Sequence, residues 1–137
     1  MRKELIIKNQ MQELERVSAF VEGIVEELKL GQDMLCELQL VMEEMVVNVI
    51  SYAYPEGTVA DITLIAESDG TELTFVISDK GKEFDPTQQE DADMSINPAG
   101  REIGGMGIFI VKNIMNEVTY QRLEGHNLLT MKLNHRY

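Results

Sequence analysis

Apolar residues recur at two distinct periods along this 137-residue chain, and the switches between them mark out the elements. Leu5 and Ile7 alternate with charged or amphipathic neighbours, which predicts a short first strand at a sheet edge. Over about 10–30 the period lengthens. Leu14, Val17, Val21, Ile24, Val25 and Leu28 recur at spacings of three and four, giving a helix with one apolar stripe. Gly31 is expected to stop that helix, and Asp33 to N-cap a second one over about 34–52. The second helix is apolar at Leu35, Leu38, Met42, Met45 and Val49, and the turn Tyr54-Pro55-Glu56-Gly57 ends it. Period two then resumes at Ile62, Leu64, Ala66 and again at Leu73, Phe75, Ile77. Ser68-Asp69-Gly70 reads as the tight hairpin turn between these two strands. A polar loop follows over about 79–103, carrying Glu90-Asp91-Ala92-Asp93 and Asn97-Pro98-Ala99-Gly100; loops this long in a compact domain are functional lids or disordered. A third helix is expected from the glycine-rich segment to about residue 116. Two closing strands, about 117–123 and 127–134, flank the turn Glu124-Gly125-His126.

Strands joined by short turns imply a mixed, mostly antiparallel sheet with the helices gathered on one face, an α+β two-layer sandwich in a single domain spanning 1–137. With 44% hydrophobic and 26% charged residues the chain has the balance of an ordinary folded domain, not a disordered one. Its net charge of −12 repels a phosphate backbone, which argues against direct nucleic-acid binding. An anionic ligand would need a divalent cation or backbone donors. One cysteine, Cys36, forms no internal disulfide and fits a reducing cytosol; it is expected to pack among Leu35, Leu38 and Leu40. The N-terminal apolar run is too short for a signal peptide, and no uncharged stretch reaches membrane-spanning length. The chain is expected to be soluble and cytoplasmic, with no membrane partner.

Four features carry candidate chemistry. Gly104-Gly105-Met106-Gly107 runs into a hydrophobic helical segment, where glycines admit close backbone approach and the first helical turn offers unpaired N–H donors. That suits phosphate; taken alone, the segment serves equally well as a plain loop-to-helix junction. Glu44 and Asn48, four apart, project from one helix face, and Asn48 sits between valines. A carboxylate and an amide on adjacent turns suit a divalent cation or a positioned hydroxyl, although Glu-x-x-x-Asn alone more often marks a solvated helix edge. Asp79 ends an apolar strand before Lys80-Gly81, either as turn chemistry or as an acceptor for a base amino group. A dinucleotide-binding reading is weakened because Gly105-x-Gly107-x-x-Ile110 lacks its third glycine and follows a polar loop instead of a strand, and a P-loop is absent because Glu83 follows Gly81-Lys82. His126, His135 and Cys36 are too scattered for a metal cluster, and no nucleophile–histidine arrangement stands out.

Taken together these pieces form an ordered set. Glu44-x-x-x-Asn48 resembles an N box, Asp79-x-Gly81-x-x-Phe84-Asp85-Pro86 a G1 box, and Gly104-Gly105-Met106-Gly107-Ile108 a G2 box, the signature of the GHKL ATP-binding superfamily. Within it, residues 104–118 and the closing Gly125-x-Asn127-x-Leu129-Thr130 are similar to the anti-sigma-factor serine/threonine kinases. The resemblance implies a Bergerat fold holding Mg-ATP between helices and sheet, under a lid of about 85–103. Carried over by position, Asn48 would hold Mg²⁺ and Asp79 would accept from the adenine amino group. Gly81 would let the backbone approach the base, with Phe84 beside it, and Gly105 and Gly107 would open the phosphate-binding helix. Glu44 would be the general base for a serine or threonine hydroxyl. Arg101 would reach the phosphates from the lid, and Thr130 would help line the base pocket. Tyr52 stands where many members carry histidine, so no role is carried to it. The function so implied is a protein kinase that phosphorylates an anti-anti-sigma (STAS-type) partner, sequesters a sigma factor and often dimerises. Two alternatives are a non-catalytic ATP-binding switch module and a stand-alone histidine-kinase-like catalytic domain.

Overall fold

The computed structural model describes residues 1–88 and 103–135, with side chains from 107 onward in the second stretch. Five strands, β1 (Arg2–Lys8), β2 (Asp61–Ser68), β3 (Glu72–Asp79), β4 (Glu117–Leu123) and β5 (His126–Asn134), form one sheet in the order β1-β2-β3-β5-β4. Every neighbouring pair is antiparallel. Three helices, α1 (Leu14–Glu27), α2 (Gln32–Asn48) and α3 (Ile103–Ile114), complete the chain; α2 packs against both of the others. The expected α+β layering is therefore what forms. Strict alternation explains it: Ile62, Leu64 and Ala66 on β2, Leu73, Phe75 and Ile77 on β3, and Leu129, Met131 and Leu133 on β5 are all buried under the helices. Each such side chain contributes about 1.5–3 kcal/mol on burial. They meet Val17, Val21 and Ile24 of α1, Leu38, Val41, Met42 and Met45 of α2, and Ile108 and Val111 of α3 in one core.

The helix boundaries depart from the expectations at three points. Helix α1 ends before Gly31: Leu30 N–H donates to Val25 O at 2.9 Å and Lys29 N–H to Glu26 O at 3.1 Å, with Lys29 in the left-handed region at φ 58°. That is a Schellman closure with lysine in the seat glycine usually takes. Gly31 is instead the extended N-cap residue of α2, and Asp33 lies inside the first turn. Cys36 is exposed, not packed. It lies two residues from buried Leu38, about 200° round the helix, on the face it shares with exposed Leu40. Helix α2 finally loosens into a π-helical turn over Val49–Ala53. At the β2–β3 hairpin, Asp69 Oδ1 accepts from Thr71 N–H at 2.9 Å and Glu72 N–H at 2.8 Å, and Gly70 takes φ 99°. Most of the expected lid, and Arg101 with it, lies outside the described residues.

Candidate functional site

Alternation that buries apolar residues on one sheet face places polar ones there when they fall in the same phase. Asp79 follows Leu73, Phe75 and Ile77 in period two, and Asn127 precedes Leu129, Met131 and Leu133; both polar residues are nearly fully buried. The β3–β5 register sets them directly opposite each other. Asn127 Nδ2 donates to Asp79 Oδ1 at 2.9 Å, and Gly81 N–H donates to the same oxygen at 2.8 Å. Both of these bonds fall on Oδ1, and Asp79 lines the cavity between sheet and helices.

Asn127 is the hub of this corner. Its Nδ2 also donates to Lys82 O at 2.8 Å. Its Oδ1 accepts from Tyr120 O–H at 2.5 Å, Arg122 Nη1 at 3.1 Å and Phe84 N–H at 3.2 Å. Arg122 bonds Gly81 O at 2.8 Å as well, so edge strand β4 braces the turn that carries Asp79. The π turn braces it from the other side: Lys82 N–H donates to Ala53 O at 2.9 Å, and Lys80 N–H to the Tyr54 hydroxyl at 3.0 Å. Burial first, and the Asp79 charge second, raise the Tyr54 phenol above its ordinary value.

Asn48, in the last turn of α2, faces the same place. It is 2% exposed, and its Nδ2 has no hydrogen-bond partner. A buried amide left unpaired costs about 1–3 kcal/mol, so this position is poised for a ligand. Asn48 and Asp79 line one cavity together with Met45, Val49, Ile77, Phe84, Pro86, Tyr120, Asn127 and Leu129. That cavity is only ≈ 10 Å³, room for about one water. A purine is many times larger, so Phe84 and Pro86 have to move outward before a base can enter. Phe84 stacks on Tyr52, ring centroids 5.3 Å apart, at this mouth. A larger hollow of ≈ 430 Å³ beside Asp69, Thr71, Glu72 and Asn134 is an open groove remote from these groups, whereas another of ≈ 280 Å³ is lined by Asp79 itself together with Tyr54, Asp61, Ser78, Lys80 and His126.

Glu44 lies one turn before Asn48, half-exposed, with no hydrogen bond or ion pair among the described residues. Desolvation, and then repulsion from Glu43, raise its carboxyl above the ordinary 4.5. That suits a proton acceptor working near neutral pH. Asn48 and Asp79 thus line one cavity, and Glu44 lies one helical turn from Asn48, against α3 at Gly107.

The remaining expected residues fall as follows. Gly105 and Gly107 lie within α3 itself, which begins at Ile103, so the glycines are helical residues of the first turns and not a loop before them. Gly81 is needed for packing: a Cβ there would sit 2.5 Å from Ala53 O. Thr130 does not line the cavity. It pairs with Val76 and Thr119 on the sheet face away from the helices, one residue out of phase with Leu129 and Met131. Asn127, Tyr120 and Arg122 had no assigned role in the sequence reading. The available signal was a lone amide in the apolar phase of β5, but its partner across the sheet follows only from register.

Residues 7–133 match the family described as histidine kinase-like ATPase domain. The chain belongs to that family. It is 31% identical over 94 residues to the serine/threonine-protein kinase BtrW of Bordetella bronchiseptica, covering 69% of this chain and 66% of that protein. It is 30% identical over 97 residues to the serine-protein kinase RsbW of Staphylococcus aureus, covering 65% of this chain and 59% of that one. The matched segments thus span less than two thirds of either relative. The histidine kinase domain of a blue-light-activated histidine kinase from Erythrobacter litoralis superposes with a TM-score of 0.55 at 14% identity, over 90% of this chain and 59% of that one. This likeness bears on the fold alone, which is the GHKL fold expected from the boxes. Among the described residues no helix is long and apolar enough to cross a membrane.

Proposed function

We propose that this protein is an ATP-dependent serine/threonine kinase acting as an anti-sigma regulatory factor in the cytoplasm. It would phosphorylate an anti-anti-sigma (STAS-type) protein and sequester a sigma factor. The observation that carries the reading is the Glu44 carboxylate set against α3 at Gly107, one helical turn from the buried, unpaired amide of Asn48. The names of the two relatives support it. A module that only binds nucleotide has no use for such a carboxylate.

Asp79 Oδ2 accepts a hydrogen bond from the adenine amino group, held in place by Gly81 and Asn127 acting on the other oxygen. The first N–H groups of α3 point toward the phosphates, where donors without intrahelical partners favour negative charge. Asn48 fits a magnesium ion: its amide is buried and unpaired, and a half-turn brings Oδ1 to the place of Nδ2. No cluster of three or more His, Cys, Asp or Glu occurs among the described residues, so the ion would take its other ligands from phosphates and water, as Mg²⁺ commonly does. Magnesium supplies charge neutralisation of the phosphates in a chain whose net charge is −12. Glu44 takes the proton of the acceptor hydroxyl as its oxygen bonds to the γ-phosphorus and ADP departs. Gly105 and Gly107 keep the first turns of α3 open to the phosphates, and Arg101 would add positive charge.

The test uses purified chain, Mg-[γ-³²P]ATP and STAS-type proteins from the same organism. Transfer to one serine or threonine is expected, abolished by Glu44→Ala. Nucleotide-dependent partner binding without any transfer would replace the kinase reading with that of a switch. Calorimetry with Asn48→Ala and Asp79→Asn tests the nucleotide site separately.

A further inference from the structure

Of Gly23, Gly31, Gly57, Gly70, Gly81, Gly107 and Gly125, Gly81 and Gly107 would bring an added Cβ against neighbouring atoms. For Gly81 the obstacle is backbone. For Gly107 the nearest atoms all belong to one side chain: Glu44 Oε2 at 2.7 Å, Cβ at 3.3 Å and Cδ at 3.5 Å. Gly107 is buried within α3, and α3 packs on α2. Glu44 has no hydrogen bond or ion pair among the described residues to orient it. Its location is therefore set by shape, through the recess that the missing side chain leaves.

We propose that Gly107 is a positioning residue for the Glu44 carboxylate, its absent side chain forming the recess in which Oε2 rests. The proposal rests on the reading of Glu44 as proton acceptor and deepens it. A hydroxyl approaching the phosphates at the start of α3 meets a carboxylate held against that same helix. The recess also keeps water from one side of the carboxylate, in line with burial being the main cause of its raised proton affinity. Glycine in a helix costs about 1 kcal/mol relative to alanine, and this contact is the reason for tolerating it at 107.

The experiment compares wild type, Gly107→Ala, Glu44→Asp and the double variant, all in the full chain. A methyl at 107 meets the tip of a flexible side chain, so the fold adjusts by swinging the carboxylate out toward water. Expected for Gly107→Ala is a Glu44 titration midpoint, read by carboxyl ¹³C NMR, that moves down toward 4.5. At saturating ATP, kcat for transfer falls about 10–100-fold, because small misplacements of a reacting group carry penalties of that size. The acid limb of the kcat–pH profile moves in the same direction as the titration. In Glu44→Asp the shorter carboxylate vacates the recess, so adding Gly107→Ala does not change kcat further. An unmoved titration and kcat in Gly107→Ala, or additive losses in the double variant, would overturn the proposal. If Gly107→Ala alone fails to fold while the double variant folds, the contact with Glu44 is the constraint and the proposal stands; if neither folds, the methyl meets something else and it falls. Retained transfer in Glu44→Gln would sink the reading of Glu44 as proton acceptor by itself, while the titration comparison in wild type and Gly107→Ala still reports on the contact.

Discussion

Single residues carry opposing demands here, and Glu44 shows it most directly. Its carboxyl is raised by desolvation, so the folded state is penalised when it ionises. For a carboxylate with a raised folded value, that penalty is absent at low pH and grows as pH rises from the unfolded value near 4.5 through the folded one. Glu44→Gln is therefore expected to raise Tm at pH 7, with the gain shrinking as pH falls toward about 4.5 and absent below it; a constant difference across pH in paired thermal melts would contradict this. Asp69 behaves in the opposite sense. Backbone N–H groups of Thr71 and Glu72 lower it from 3.8 to about 2, so its contribution is present above 3.8 and is lost as pH falls through about 2. Acid melts of Asp69→Asn should show a flatter response than wild type in that window. Asn127→Leu removes every partner of the hub at once, leaving Asp79, Lys82 O and the Tyr120 hydroxyl short of bonds. A loss of roughly 1–3 kcal/mol in urea unfolding is expected, with weaker Mg-ATP binding. Glu44, Asn48 and Asp79 were legible in the sequence because each breaks an apolar pattern. Asn127 broke its pattern equally, yet its meaning depended on the residue across the ladder.

Among the elements, the closure of α1 and the mouth of the cleft give separate predictions. Lys29 holds a left-handed conformation at φ 58° that glycine adopts without steric cost. Lys29→Gly is expected to stabilise the protein by roughly 0.5–1 kcal/mol, read as a raised urea midpoint with unchanged slope. At the mouth, Phe84 and Tyr52 stack over a cavity too small for a base. If the closed form predominates, only the open fraction binds nucleotide. Phe84→Ala should then speed association of a fluorescent ATP analogue in stopped flow while lowering stability, and an unchanged association rate would show that these rings do not gate the cleft. Periodicity located every strand and helix, since one face of each is buried. It misplaced their ends, because a Schellman closure through lysine and a π turn are backbone solutions that no side-chain period announces.

The whole molecule is a sheet with helices on one face and a strongly acidic surface. At −12 it binds an anionic ligand against its own field, so donors and a cation must act locally. The sequence by itself determined the class of fold, since alternating and 3.6-fold patterns leave few ways to bury their apolar faces. It also determined the family, because three boxes occur in order along one chain. Tertiary structure alone decided which polar groups meet. The register of β3 on β5 joined Asp79 to Asn127, and strand phase turned Thr130 away from the cleft. The packing of α3 on α2 set Gly107 against Glu44. Those contacts join residues 48 and 63 positions apart, and their geometry depends on sheet register and helix approach, which local pattern does not encode.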